Sequence, residues 1–169
     1  STTCRGVSIW IEPIQNPSDV APQCRGFYTE TTTGDRLIIV RTDDSNMADI
    51  RHGRNPFNIF DIMSTISHEY THCLDRVDGR YSLDVSYSGD KTAYYNMPHE
   101  LNAHWHQVMF LLLDSIKVGE TDVGNCDEFH DAAHDVLQLI APEMGAALTN
   151  FNARMLDERT TYVFNQYMM

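Results

Sequence analysis

The sequence predicts an α+β fold in which a small N-terminal sheet, mixed or antiparallel, is followed by a set of helices within a single domain spanning residues 1–169. Three observations lead there. The first third of the chain carries short runs of alternating apolar and polar residues bounded by turn formers, the mark of half-buried strands. From about Pro56 onward apolar residues recur at intervals of three and four, as on helices with one buried face. The 169 residues, 42% hydrophobic and 21% charged, are enough to bury a core, and no internal repeat or low-complexity linker marks a boundary.

In order along the chain, "GVSIWIEPI" alternates, "RGFYTET" is aromatic and threonine-rich, and "DRLIIVRT" is a short apolar run after a Thr-Gly-Asp turn; these are the strands. "DDSNMADIRHGRNP", Asp43 to Pro56, is polar and rich in turn formers and reads as a loop. A helix follows, with Phe60, Met63, Ser67, Tyr70, Leu74 and Val77 on an apolar face widened by Ile59, Ile62, Ile66 and Cys73, and with Gly79 placed to end it. Asp61, Thr65, His68, His72 and Asp75 or Arg76 share the opposite, polar stripe. "YSLDVSYSGDKTAYYN" reads as a loop or short hairpin before Pro98 opens a second helix to about Val118. Two further helices complete the chain, with Phe129, Ala133, Val136, Leu137 and Ile140, and then Leu148, Phe151, Met155, Val163 and Phe164, as core candidates.

The formal net charge of -12, with no basic run to reverse it locally, sets the surface against polyanions and excludes nucleic acid as a first choice of partner. The longest apolar run, Val108 to Leu113, is far short of the ~20 residues that cross a bilayer, so no membrane span is expected. The N-terminal "STTCRGVSIW" lacks a basic start and an apolar stretch, and a cytoplasmic location is the expectation. Cys4, Cys24, Cys73 and Cys126 form no CxxC pair and read as free thiols, with a Cys4–Cys24 disulfide as an option in an oxidising compartment.

One stretch bears directly on chemistry. His68-Glu69-Tyr70-Thr71-His72 is an HExxH motif on a helix, where residues four apart lie on one face one turn apart. Both imidazoles can then bind one Zn²⁺, and the glutamate beside the first can exchange a proton with a water activated there. A hydrolytic zinc site needs a third protein ligand. Glu100, in the first turn of the next helix, Asp78, at the end of the motif helix, and Asp90, in the intervening loop, are the candidates.

HEYTH followed downstream by "PHELNA" resembles the gluzincin arrangement of zinc metallopeptidases, and "YYNMPHELNAH" is similar to a Tyr-Tyr-Asn-x-Pro-x-Glu-x-x-Ala pattern in small zincin-like proteins of bacteriophages and bacteria. The likeness covers roughly Ile59 to Gln107. It implies a zincin-like fold with the sheet packed on the motif helix, His68, His72 and Glu100 as ligands, Glu69 as general base, and an alanine three residues after Glu100 that allows close helix approach. The spacing to Asp78 also resembles HExxHxxGxxD enzymes, but Asp75 stands where their glycine turns the chain.

Weaker assignments surround this core. Asp75 is placed to accept a ligand histidine's N–H, and Tyr94, Tyr95 or His104 to stabilise an oxyanion; His104 lies one turn after Glu100 and shares its face. "HDAAH", His130 to His134, repeats the histidine spacing with aspartate in place of glutamate, but the sequence specifies no third ligand and a solvated helix face is the simpler reading. His52, His99 and His106 read as exposed. The expected function is a zinc-dependent peptidase acting on a peptide or protein substrate laid along an exposed strand, with "RLIIVRT" as the candidate. The alternative is a non-catalytic zinc-binding zincin-fold protein serving as a structural, for example virion, component or an interaction module.

Overall fold

The computed structural model describes residues 2–4, 6–13, 26–42, 56–79 and 90–168. The loop expected over residues 43–55, the segment 81–89, His52 and Cys24 lie outside the described residues. The chain divides into two compact units, Ser1–Arg80 and Tyr81–Met169.

The first unit is a four-stranded sheet and one long helix. Strands β1 (Thr2–Cys4), β2 (Val7–Pro13), β3 (Gly26–Glu30) and β4 (Arg36–Thr42) lie in the order β1-β2-β4-β3. The sheet is mixed: β1 with β2 and β3 with β4 are antiparallel, while β2 and β4 run parallel, Ile9 opposite Ile38 and Ile11 opposite Val40. Strand β1 went unrecognised because three residues are too few to show a period. β4 corrects a functional expectation, since "RLIIVRT" is central and paired along both sides, leaving no edge for a peptide. The border strand on that side is β3.

Helix α1 (Pro56–Asp78) lies against β3 and β4. Its seam is Ile62, Ile66, Tyr70 and Cys73, packed on Val7, Ile38 and Val40. Met63, Leu74 and Val77, expected on the buried face, are exposed instead. Met63 and Leu74 each follow a seam residue, Ile62 and Cys73, by one position, and that step turns them about 100° off the face that meets the sheet. Gly79 ends the helix as expected, at φ +65°, a conformation that disfavours a side chain.

The second unit is helical: α2 (Lys91–Asn96), α3 (Pro98–Lys117), α4 (Cys126–Ile140), α5 (Met144–Ala147) and α6 (Asn150–Tyr167). Pro98 does open α3. Helix α2 replaces part of the expected loop or hairpin: Asp90 caps it, its carboxylate accepting from the backbone N–H of Thr92 (3.0 Å) and Ala93 (3.3 Å). The apolar pattern after Cys126 breaks at Ile140 because Pro142 cannot continue a helix. Val108, Met109 and Leu112 of α3 pack on Phe129, Ala133 and Val163, while Leu101, Ala141, Met144 and Leu156 form a second apolar cluster. Phe151, expected in the core, is 77% exposed. The buried side of α6 is set by Leu156, Thr160 and Val163, and five residues of helix turn Phe151 about 140° away from Leu156.

Among the described residues no helix is long and apolar enough to cross a membrane.

Candidate metal centre

In the first unit, the polar stripe of α1 holds Ser64, His68, Thr71, His72 and Asp75, and all are buried, Asp75 to 1% exposure. The hydroxyl of Thr71 donates to the Ser67 carbonyl at 2.8 Å, satisfying itself within the helix. The His68 and His72 rings stack edge to face with centroids 4.9 Å apart, as the one-turn spacing requires. Glu69 is buried beside them at 7% exposure.

The structure adds a residue that the sequence did not flag. Gly26, the first residue of β3, sits where a Cβ would lie 2.6 Å from Thr65 Cγ2 and 3.3 Å from both Glu69 Cγ and the Ile39 carbonyl oxygen. Only a residue without a side chain lets the border strand press this closely against the helix turn that carries Glu69. No local sequence pattern announces this, because the contact joins positions 26, 65 and 69.

On the sheet side of α1, the Tyr28 hydroxyl donates to Glu30 Oε1 at 3.0 Å. Burial, then this bond to a carboxylate, then the Cys73 thiol nearby, push the Tyr28 phenol far above its ordinary range. Burial likewise raises Cys73, which is free, as is Cys126. Both groups therefore stay neutral at ordinary pH.

Helix α1 runs unbroken through Asp75 to Asp78. The turn that would swing an HExxHxxGxxD aspartate back to the histidines is not made. Asp90 is committed to capping α2.

In the second unit, Glu100 lies in the first turn of α3 and is buried. Its Oε1 is 3.8 Å from His99 Nε2, and its Oε2 is 3.9 Å from His104 Nδ1. His99 was expected to be exposed and is 7% exposed, because Pro98 starts the helix with His99 already turned inward; its adjacency to Glu100 was the available signal. His104 Nδ1 is 2.8 Å from the Glu100 backbone carbonyl oxygen, which can only accept, so Nδ1 carries the hydrogen. Tyr94 and Tyr95 meet the His104 ring edge to face at 6.1 and 5.5 Å, and Tyr95 also packs into the apolar cluster around Leu101 and Met144. Ala103 is fully buried.

Asn96, the last residue of α2, explains part of the "YYN" pattern. Its Nδ2 donates to the carbonyls of Thr92 and Ala147, each at 2.8 Å, and its Oδ1 accepts from Thr149 N (3.0 Å) and Asn152 Nδ2 (2.8 Å). The tyrosine-bearing helix is thereby tied to α5 and α6.

Comparison with protein families, with characterised proteins and with solved structures finds no match for this chain.

Proposed function

We propose that this protein is a zinc-dependent peptidase of the gluzincin type, with His68, His72 and Glu100 as the zinc ligands and Glu69 as general base and acid. The observation that carries the reading is the HExxH turn of α1, where two buried imidazoles share one face and a buried carboxylate stands beside the first. Two imidazoles and a carboxylate are the donor chemistry that zinc takes in hydrolases. When bound, zinc supplies Lewis acidity that polarises a carbonyl and lowers the pKa of water towards ~7.

The chain's own residues carry the rest. Glu69 takes a proton from the attacking water and delivers it to the leaving amine. His104, its Nδ1 bonded to the Glu100 backbone carbonyl one turn away, is the candidate oxyanion stabiliser, a role that calls for a hydrogen on Nε2 as well. Tyr94 and Tyr95 hold its ring at the edges. The border strand β3, beside Glu69, offers backbone groups for an extended substrate in place of the central β4.

A peptide-library cleavage screen, run with Glu69→Gln and with zinc content measured on the same samples, tests this. Wild type is expected to cut, while Glu69→Gln retains zinc and loses at least 100-fold in rate, at the lower end of what a general base contributes. Zinc retained by His68→Ala refutes the ligand assignment, and unchanged cleavage by Glu69→Gln refutes the mechanism. Zinc binding by wild type without any peptide cleavage assigns the chain to the non-catalytic alternative.

A further inference from the structure

The helical unit holds two apolar clusters, and a cavity of about 330 Å³ is lined by members of both: Val108, Met109 and Ala133 from one, Met144 and Leu156 from the other. Its walls come from α3, α4, α5 and α6, all within this unit. We propose that the cavity is a binding site for a small arylalkylamine, its aromatic body seated on the apolar floor and its protonated amine held at Asp157.

Three observations carry this. First, the polar side-chain atoms of the floor are already paired. Trp105 Nε1 donates to Thr160 Oγ1 at 3.2 Å, and that hydroxyl donates to the Leu156 carbonyl at 2.8 Å. What remains for a ligand is hydrocarbon, the indole ring and the thioethers of Met109 and Met144, surroundings that suit an aromatic ring. Second, the volume is about twice the ~150 Å³ of a cavity that takes benzene, room for a body of two fused rings. Third, the mouth carries a single formal charge. His134, Gln138 and Asp157 are exposed there, and with the imidazoles neutral the Asp157 carboxylate is the one charged side chain lining the cavity. Its Oδ1 stands 3.7 Å from His134 Nε2 and 3.9 Å from His130 Nδ1, too far for hydrogen bonds, while His130 turns Nε2 to Thr161 Oγ1 at 2.8 Å. The carboxylate is thereby open to an N–H donor from the cavity. Arg159, two residues on, is engaged with Asn102 Oδ1 at 3.3 Å and over the Trp105 ring. In a chain of net charge -12, a cationic head is attracted and an anionic one repelled.

Calorimetric titration with naphthylethylamine of wild type, Asp157→Asn, Gly145→Leu and His68→Ala, and of wild type with naphthylacetate, all at pH 8, tests the site. Gly145 lines the cavity, and outside its own helix a Cβ there meets only Gln138 Nε2, at 3.5 Å, so a leucine side chain has room to fill the space. Asp157→Asn alters an exposed side chain and should fold normally, so the test stands even if thermal unfolding shows Gly145→Leu to be misfolded. The amine is expected to bind wild type and His68→Ala alike, to bind Asp157→Asn about tenfold or more weakly for want of a charge-assisted hydrogen bond, and to be shut out of Gly145→Leu. Naphthylacetate should bind wild type more weakly than the amine by about tenfold or more. No amine binding by wild type, equal affinity for amine and carboxylate, or equal affinity of wild type and Asp157→Asn overturns the proposal, as does wild-type binding by a folded Gly145→Leu. Amine binding lost in His68→Ala also overturns it, by assigning the amine to the HExxH helix, so this proposal and the zinc reading fail separately.

Discussion

Asn96→Ala is the substitution whose cost can be worked most directly from the structure. The side chain makes four hydrogen bonds, of which the one to the Thr92 carbonyl is local to α2 and is replaced by water at little cost. The other three join α2 to the segment from Ala147 to Asn152. At about 1 kcal/mol net for each, their loss costs the helical unit about 3 kcal/mol, less whatever water recovers at the half-buried rim, so about 2–3 kcal/mol is expected. For a chain of this size, that lowers Tm by about 5–10 °C. Urea and thermal unfolding followed by helical circular dichroism at pH 7 provide the measurement. Asn96→Asp keeps the acceptor for Thr149 and Asn152 but loses both donors and sets a charge against the Ala147 carbonyl, so it should be destabilised as well. A midpoint for Asn96→Ala within 0.5 kcal/mol of wild type, a surface-substitution effect, would refute the reasoning.

Two other substitutions probe the sheet unit. Gly26→Ala forces a methyl to 2.6 Å from Thr65 Cγ2 and 3.3 Å from Glu69 Cγ, an overpacking expected to cost about 1–3 kcal/mol in urea unfolding. Adding Thr65→Ser deletes the struck methyl and should restore most of the loss; no rescue would mean that the strand approach is not what the glycine provides. For Tyr28 and Cys73 the sign is set by their raised folded-state pKa values: the unfolded chain releases these protons near pH 9–10 while the native state keeps them, so stability present below that range is lost as pH rises through it. Tyr28→Phe should flatten the alkaline decline in chemical-denaturation midpoints between pH 8 and 11, and a slope identical to wild type would count against the burial argument.

The parts of this molecule legible in the sequence are those governed by contacts three or four residues apart. The span of α1, its Gly79 stop, the Pro98 start of α3 and the pairing of His68 with His72 all follow from helix period and end chemistry. Three of the four strands are legible, β2 from alternation, β3 from its aromatic and threonine content and β4 as a short apolar run after a turn, but their order is not, since the parallel pairing of β2 with β4 depends on chain crossing rather than on either strand. That order decides which strand borders the sheet, and therefore why the substrate-strand assignment moved from β4 to β3. Helix α2 was hidden because a six-residue helix shows less than two turns of period and owes its start to the Asp90 cap. Phe151 shows the converse error: an apolar residue counted towards the core whose angle on the helix points it outward.

Two HxxxH pairs in one chain show how little the spacing alone decides. On α1 the residue after the first histidine is a glutamate, and His68, Glu69, Thr71 and His72 are all buried. On α4 the corresponding residue is Asp131, one methylene shorter and exposed, while His134 stands largely in solvent. Asp131 therefore has neither the reach nor the dry surroundings of Glu69. Any cleavage should therefore be lost with Glu69→Gln and survive substitution of the α4 pair, as in His134→Ala.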